Sequence, residues 1–388
     1  MLFDLPSQPL LRSNQAENYP QMLLYAALIG VVGGLVATGY YYGLTVSLHL
    51  VWQTLPAILA ADFPSIPFAN HVWIFTTIGG LLVGLTLRWL GLPGEVALVI
   101  DKIHDPGRLD WRQTPAMLVT SLLSITAGGS AGPEAPLVQI IGSFGSWLSD
   151  RLKLSAELTR LLTFCGMSAA LSAFFGAPLG GALFALELPH RRSLEYYEAI
   201  IPAIVSAICS FTVFRMMTGM AVSGGIYHLP AYPHLTWIHL VQAAILGAIG
   251  SSVAIVFIYL FRSVKYLIQP IAHHTILLAA LGGLAIGLIA MSFPQTLFFG
   301  EEQIETILLG TGASLGVTML LAIALAKMLA IACTLHAGFR GGLFFPLFFI
   351  GAAVGLAVSI AVPQFPAAIS IICMMAGECR RYPNTRWN

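Results

Sequence analysis

Two glycine-rich segments ending in proline decide how this chain is read: GGSAGPEAP, Gly128 to Pro136, and AGFRGGLFFP, Ala337 to Pro346. Each interrupts a long apolar run, and they fall at matching places in the two halves of the sequence. Paired breaks of this kind point to an ion site in a membrane transporter, where interrupted helices aim their N-terminal amides at an anion near the bilayer midplane. Glu134, inside the first break, is the first candidate for function. Glycine and proline also serve as plain kinks in membrane helices, and the pairing alone leaves that reading open.

Of the 388 residues, 57% are hydrophobic and 9% charged, and the mean hydropathy is +0.84. An ordinary soluble domain carries about a quarter charged residues, so the composition predicts an integral membrane protein. Apolar runs recur throughout: Met22 to Trp52, Val72 to Leu90, Pro115 to Thr126, Leu137 to Leu148, Leu161 to Leu188, Ile200 to Met217, Ile238 to Phe261, Ile276 to Phe293, Val317 to Leu335 and Leu343 to Val362. Several fall short of the roughly 20 residues that a straight span requires. The expected fold is therefore all-α, a multi-pass bundle of tilted and broken helices, with some segments partial or re-entrant.

Residues 1–20 lack the basic start and short apolar core of a cleaved signal peptide and read as a cytoplasmic lead. A net charge of +1 gives no reason to expect nucleic acid as a partner. The five cysteines lack paired metal spacing and read as buried thiols. No H-E-x-x-H metal motif or G-x-S-x-G nucleophile turn suggests an enzyme, and nothing in the sequence implies a cofactor. Basic residues gather in four connections: Lys102 to Arg112, Arg151 to Arg160, His190 to Arg192, and Arg262 with Lys265. Ala61 to Asn70, Leu229 to His234 and Phe298 to Glu305 carry no Lys or Arg, which places the first group inside and the second outside.

The halves resemble each other as diverged repeats, 21–220 and 236–376, when Cys165 is set opposite Cys373. The second copy has no clear counterpart of Ala169 to Met217, and 377–388 is a polar run expected not to continue a membrane helix. A truncated or frame-altered coding sequence is one expectation for that ending. Gly80 with Gly84, Gly283 with Gly287, and Gly351 with Gly355 have the spacing that lets helices approach closely in lipid.

At these residues the chain resembles the CLC family of chloride channels and chloride/proton exchangers. Gly132, Pro133, Glu134, Ala135, Pro136 is similar to the family's G-x-E-G-P signature, with Val138 and Gln139 at the expected offset. Ala173 to Gly181 through Glu187 is similar to A-x-F-N-A-P-L-A-G ending in glutamate, and Gly341 to Pro346 matches G-G-x-F-x-P. The resemblance implies an inverted-repeat membrane fold at the cell membrane, chloride and protons as the transported species, and a homodimer with one pathway per subunit. It assigns gating by proton to Glu134, and anion binding to Gly91, Gly132, Ala135, Gly342, Leu343 and Phe344. Three departures stand out: Leu90 to Gly94 lacks the family's serine hydroxyl, Leu188 stands where exchangers carry a second glutamate, and the family's late tyrosine has no counterpart. Channel and exchanger both stay open, as does a non-transporting, truncated member.

The chemistry of such a site follows from the bilayer. An anion there needs donors in place of its water shell, and helix-start amides supply them, with the helix dipole adding about half a positive charge. Glycine permits close backbone approach, and proline in a first turn removes no needed donor. The Glu134 carboxylate can occupy an anion site, whereas its protonated form has no claim on it, so proton binding and anion occupancy are linked. A carboxylate capping a helix start is the blander account. Glu187 is expected to orient a helix end. Lys327 is a candidate intramembrane charge or a snorkelling side chain, His336 and Arg340 read as solvated loop residues, and Glu301, Glu302 and Glu305 read as an exposed acidic loop.

Overall fold

In the computed structural model, the described residues are 13–62, 71–91, 108–187, 194–220, 236–308 and 311–381. The first half begins with α1, Ser13–His49, which runs through a π-helical turn, Leu50–Thr54, into α2, Leu55–Asp62. There follow α3 (Val72–Leu90), α4 (Thr114–Thr126), α5 (Glu134–Leu152), α6 (Ala156–Phe175), α7 (Pro178–Glu187) and α8 (Leu194–Thr218). The second half holds α9 (Trp237–Ile268), α10 (Thr275–Ser292), α11 (Glu301–Leu308), α12 (Gly316–His336), α13 (Phe344–Ala361) and α14 (Ala367–Arg381). Among the described residues, eight helices are long and apolar enough to cross a membrane.

Local chemistry sets these boundaries. Ser155 caps α6 by accepting from the Leu158 amide, and Gly176 ends it in the left-handed region at φ 63°. That stop divides the run Leu161 to Leu188, which the sequence presents as one apolar stretch, because the glycine turn and Pro178 end one helix and begin another. The acidic residues Glu301, Glu302 and Glu305 lie in α11 and not in a loop, with Ile304 and Ile307 buried on its other face. The amphipathic pattern of that helix is short, and its acidic start suits the dipole. α14 runs on through Gly377 to Arg381, its apolar part ending at Gly377, which lies close to Gly247 and Gly250 of α9.

Small residues decide which helices touch. A Cβ on Gly84 would stand 2.8 Å from the Ile276 Cα, and Gly80, Gly283 and Gly287 meet α10 or α3 just as closely, so these two helices cross backbone to backbone. Gly351 and Gly355 likewise admit Met375 and Ile371 of α14 against α13. In the first half, hydroxyls stitch helices together: Ser206 donates to the Cys165 carbonyl at 2.9 Å, Ser210 to Ala169 at 2.8 Å and Ser172 to Ala207 at 2.7 Å, joining α6 to α8. One apolar core lies in each half, with Phe345 of α13 joining the first, and a third combines Val83 and Leu87 of α3 with Ala279 and Ile286 of α10. The two halves therefore meet along α3 and α10 as well as at their breaks.

Candidate functional site

The two breaks follow one backbone path. Each preceding helix, α4 or α12, ends in a turn whose glycine has positive φ, Gly128 at 90° and Gly338 at 91°. Two more bonds close that turn identically: Gly129 N to the Ser124 carbonyl at 3.0 Å, and Phe339 N to the Thr334 carbonyl at 3.2 Å. The next helix then starts at Glu134 or at Phe344, residues 210 apart. Setting Cys165 opposite Cys373, a spacing of 208, thus differs by two residues from the register of the breaks.

The breaks are also bonded to each other with two-fold reciprocity. Gly132 and Gly342 form an antiparallel bridge, Gly132 N donating to the Gly342 carbonyl at 2.8 Å and Gly342 N to the Gly132 carbonyl at 2.6 Å. Outside that bridge, Ser130 N donates to Thr334 Oγ1 at 3.0 Å and Arg340 N donates to Ser124 Oγ at 2.9 Å. Each break is therefore pinned to the hydroxyl of the helix that precedes the other. Buried amides paired in this way fix the turn geometry without any ligand.

The symmetry ends at the side chains. Glu134 is fully buried, and its Oε1 accepts from Phe344 N at 2.7 Å and from Phe345 N at 3.4 Å. These are the first amides of α13, which have no partner within the helix, and a negative charge there is favoured by the dipole. Glu134 Oε2 has no hydrogen-bond partner among the described residues. The equivalent first amides of α5 belong to Glu134 and Ala135, but position 344 is a phenylalanine, so no carboxylate from the second half returns to them. Rings close the site: Phe184 stands 4.6 Å from Phe344, and Phe345 packs against Phe175 at 5.4 Å and Phe299 at 5.7 Å. Apolar walls keep water from the amides and so strengthen their hold on charge.

Of the expected anion-binding residues, the structure brings Gly132, Gly342 and Phe344 to the carboxylate. The amides of Gly132 and Gly342 are engaged with each other, and what these glycines offer Glu134 is space: a Cβ on either would overlap its side chain. Leu343 is the N-cap of α13, one residue short of the donors. Ala135 is half-buried behind Glu134. Gly91 is the exposed end of α3, at φ 81° with nothing within 4 Å of a would-be Cβ, and nothing described joins it to Glu134. Residues 92–94 and Leu188 lie outside the described residues.

Three polar expectations are corrected. Lys327 does not snorkel: it is fully buried on α12, donating to the carbonyls of Thr296, Leu297 and Phe298. His336 is half-buried, its Nε2 2.9 Å from the Phe261 carbonyl and its ring 4.0 Å from that of Phe261. Arg340 is buried as well. Both were expected in solvent, but packing of the second break against α4 and α9 encloses them. Glu187 is an exposed helix end. Sequence reasoning missed Phe345, Ser124 and Thr334. Aligning the halves at a spacing of 210 residues would have set Ser124 opposite Thr334 and exposed the hydroxyl pair. Among the described residues no group of His, Cys, Asp or Glu could hold a metal ion.

The family described as "Voltage gated chloride channel" matches residues 79–378. A protein of Salmonella paratyphi A (strain ATCC 9150 / SARB42) named "Putative ion-transport protein YfeO" is 27% identical over 367 residues, covering 91% of this chain and 84% of that protein. Among solved structures, a slow cyanobacterial Cl−/H+ antiporter is similar with a TM-score of 0.78 at 22% identity, covering 93% of this chain and 85% of that one. A CLC-type fluoride/proton antiporter is similar with a TM-score of 0.73 at 22% identity, covering 92% and 85%.

Proposed function

The chain belongs to the voltage gated chloride channel family, and we propose that it carries chloride or a similar small anion across the cell membrane, with Glu134 as its proton-sensitive gate. It is a multi-pass membrane protein of that family's fold. The observation that supports the gate reading is a buried carboxylate seated on the first amides of α13, with its second oxygen unpartnered. While Glu134 is ionised it competes with a permeating anion for those donors. Once protonated, it loses most of its attraction to the dipole, and an anion replaces it. The amides of Glu134 and Ala135, heading the opposite half-helix, extend the donor set along the path.

The relatives named above include chloride/proton and fluoride/proton antiporters, which supports an anion cargo and leaves the halide to be measured. Leu188, in place of the exchangers' second glutamate, favours weak proton coupling or a channel. A homodimer with one pathway per subunit is carried over from the family resemblance. A non-transporting member finds no support in the comparisons. The test is chloride and fluoride flux from proteoliposomes with proton movement recorded together. Wild-type flux rises as pH falls, whereas Glu134→Ala flux is independent of pH; an unchanged pH dependence in that variant refutes the gate.

A further inference from the structure

Lys327 is the one fully buried lysine among the described residues, and its side chain is fully used. The Nζ donates to three successive carbonyls, Thr296 at 3.1 Å, Leu297 at 3.3 Å and Phe298 at 2.8 Å, and it lies 5.1 Å from the centre of the Phe349 ring. An ammonium has three donors and no acceptor, so three carbonyls and an aromatic face replace its water shell. Three carbonyls converging on one point repel each other unless a cation sits between them. The turn also carries conformational strain, because Phe298 holds φ 56° without being glycine.

That turn touches both breaks. On one side, the Phe298 ring meets Trp52 edge-on at 5.2 Å, and Trp52 Nε1 donates to the Thr126 carbonyl at 2.7 Å, the last residue of α4 before the first break. Leu297 and Trp52 close over Gly128, lying 3.1 Å and 3.3 Å from where a Cβ would stand. Trp52 reaches Thr126 from within the π-helical turn Leu50–Thr54, an element rare in helices and frequent at functional sites. On the other side, Phe299 packs on Phe345 at 5.7 Å, and Gly300 faces the Phe349 Cβ. Phe345 supplies one of the two amides that hold Glu134.

We propose that Lys327 is a positioning residue for anion transport: its buried ammonium locks the Thr296–Phe298 turn, and this turn, clasped by Trp52, sets the spacing between the first break and the start of α13. Lys327 touches neither Glu134 nor the amides that hold it. It acts by keeping the carboxylate and its donors in register, a geometry in which small displacements carry large costs. The inference rests on the anion-transport reading for its effect on flux, though not for its effect on structure.

The test uses the full chain in detergent and in proteoliposomes, with Lys327→Met, Lys327→Arg and Trp52→Phe. In Lys327→Met the KM for chloride rises about tenfold with a smaller change in maximal flux, and Lys327→Arg restores most of it. Trp52→Phe, which keeps the ring and loses the donor, shifts KM in the same direction. Hydrogen exchange read by mass spectrometry quickens in the peptide Gly341–Leu347 in both Lys327→Met and Trp52→Phe, while a peptide within α6 stays protected. Lower thermal stability with unchanged KM and no selective exchange overturns the proposal and leaves Lys327 a packing residue. Where Lys327→Met fails to fold, Trp52→Phe decides by the same two readouts. Absence of wild-type flux for chloride and fluoride refutes the transport reading, and the exchange data still judge the brace.

Discussion

Break for break, the segments around Gly128–Pro136 and Gly338–Pro346 share their turn glycines, bridge and hydroxyl pins at a constant spacing of 210 residues, but not their chemistry. The first presents a carboxylate where the second presents phenylalanine. Backbone symmetry makes two equivalent sets of helix-start amides, and one side chain decides that only the second set is occupied from within. A symmetric scaffold thus carries a one-sided carboxylate, because the amides come from the fold and the charge seated on them comes from a single residue.

The comparison breaks most severely at the glycines beside the carboxylate. A Cβ on Gly342 would overlap the Glu134 side chain, so Gly342→Ala lowers chloride flux by about tenfold or more, as overpacking of roughly 1–3 kcal/mol implies. Because the clash is with Glu134 itself, flux recovers in Gly342→Ala/Glu134→Ala. Gly341→Ala, which meets Ala131 and the Gly132 backbone instead, is not rescued by the same second change. Liposome flux assays of the four variants distinguish a side-chain clash from a general loss of the bridge.

A smaller effect tests whether the symmetry is energetic as well as geometric. Ser124→Ala strands the buried Arg340 amide, and Thr334→Ala strands that of Ser130. Each costs about 1–3 kcal/mol, seen as a lower midpoint of thermal unfolding in detergent. Equal losses show that both pins carry equal weight. A much larger loss for Ser124→Ala shows that the half bearing the donors for Glu134 depends more on its pin.

The smallest effect lies outside the eight spans, in α11, which has no counterpart among the described helices of the first half. Burial, with Glu302 and Glu305 adding to it, pushes the Glu301 carboxyl up to about 7 against the pull of Arg215. A carboxyl raised in the folded state binds more protons there than when unfolded. Its contribution to stability is therefore full below the ordinary value of 4.5 and is lost as pH rises through about 7. Glu301→Gln flattens the thermal midpoint across that window, and a slope equal to wild type refutes the assignment.

Much of this architecture was legible beforehand for a clear reason. Apolar runs must be helical in lipid, so their positions were visible from hydropathy, and the breaks stood out because glycine and proline are the residues that interrupt such runs. Glu134 was legible as a lone carboxylate inside a break. Lys327 was visible as a charge in an apolar helix, yet its partners are backbone carbonyls, which no sequence pattern distinguishes. His336 and Arg340 misled for a related reason: polar residues beside a turn look solvated until another helix covers them. Phe345 was missed because the donors belong to helix positions, and the start of α13 lies one residue later than the motif suggested.

By itself, the sequence determined that the chain is a membrane-embedded helical protein with two interrupted helices and one acidic gate candidate, because these follow from composition and from residues that cannot propagate a helix. Only the tertiary structure decided that the breaks bond to each other, which amides meet the carboxylate, and what holds Lys327. The contacts between the breaks join residues about two hundred positions apart, and those of Lys327 join residues about thirty apart; each uses a backbone atom that every residue carries, so it depends on where the segments dock as well as on which side chains they contain.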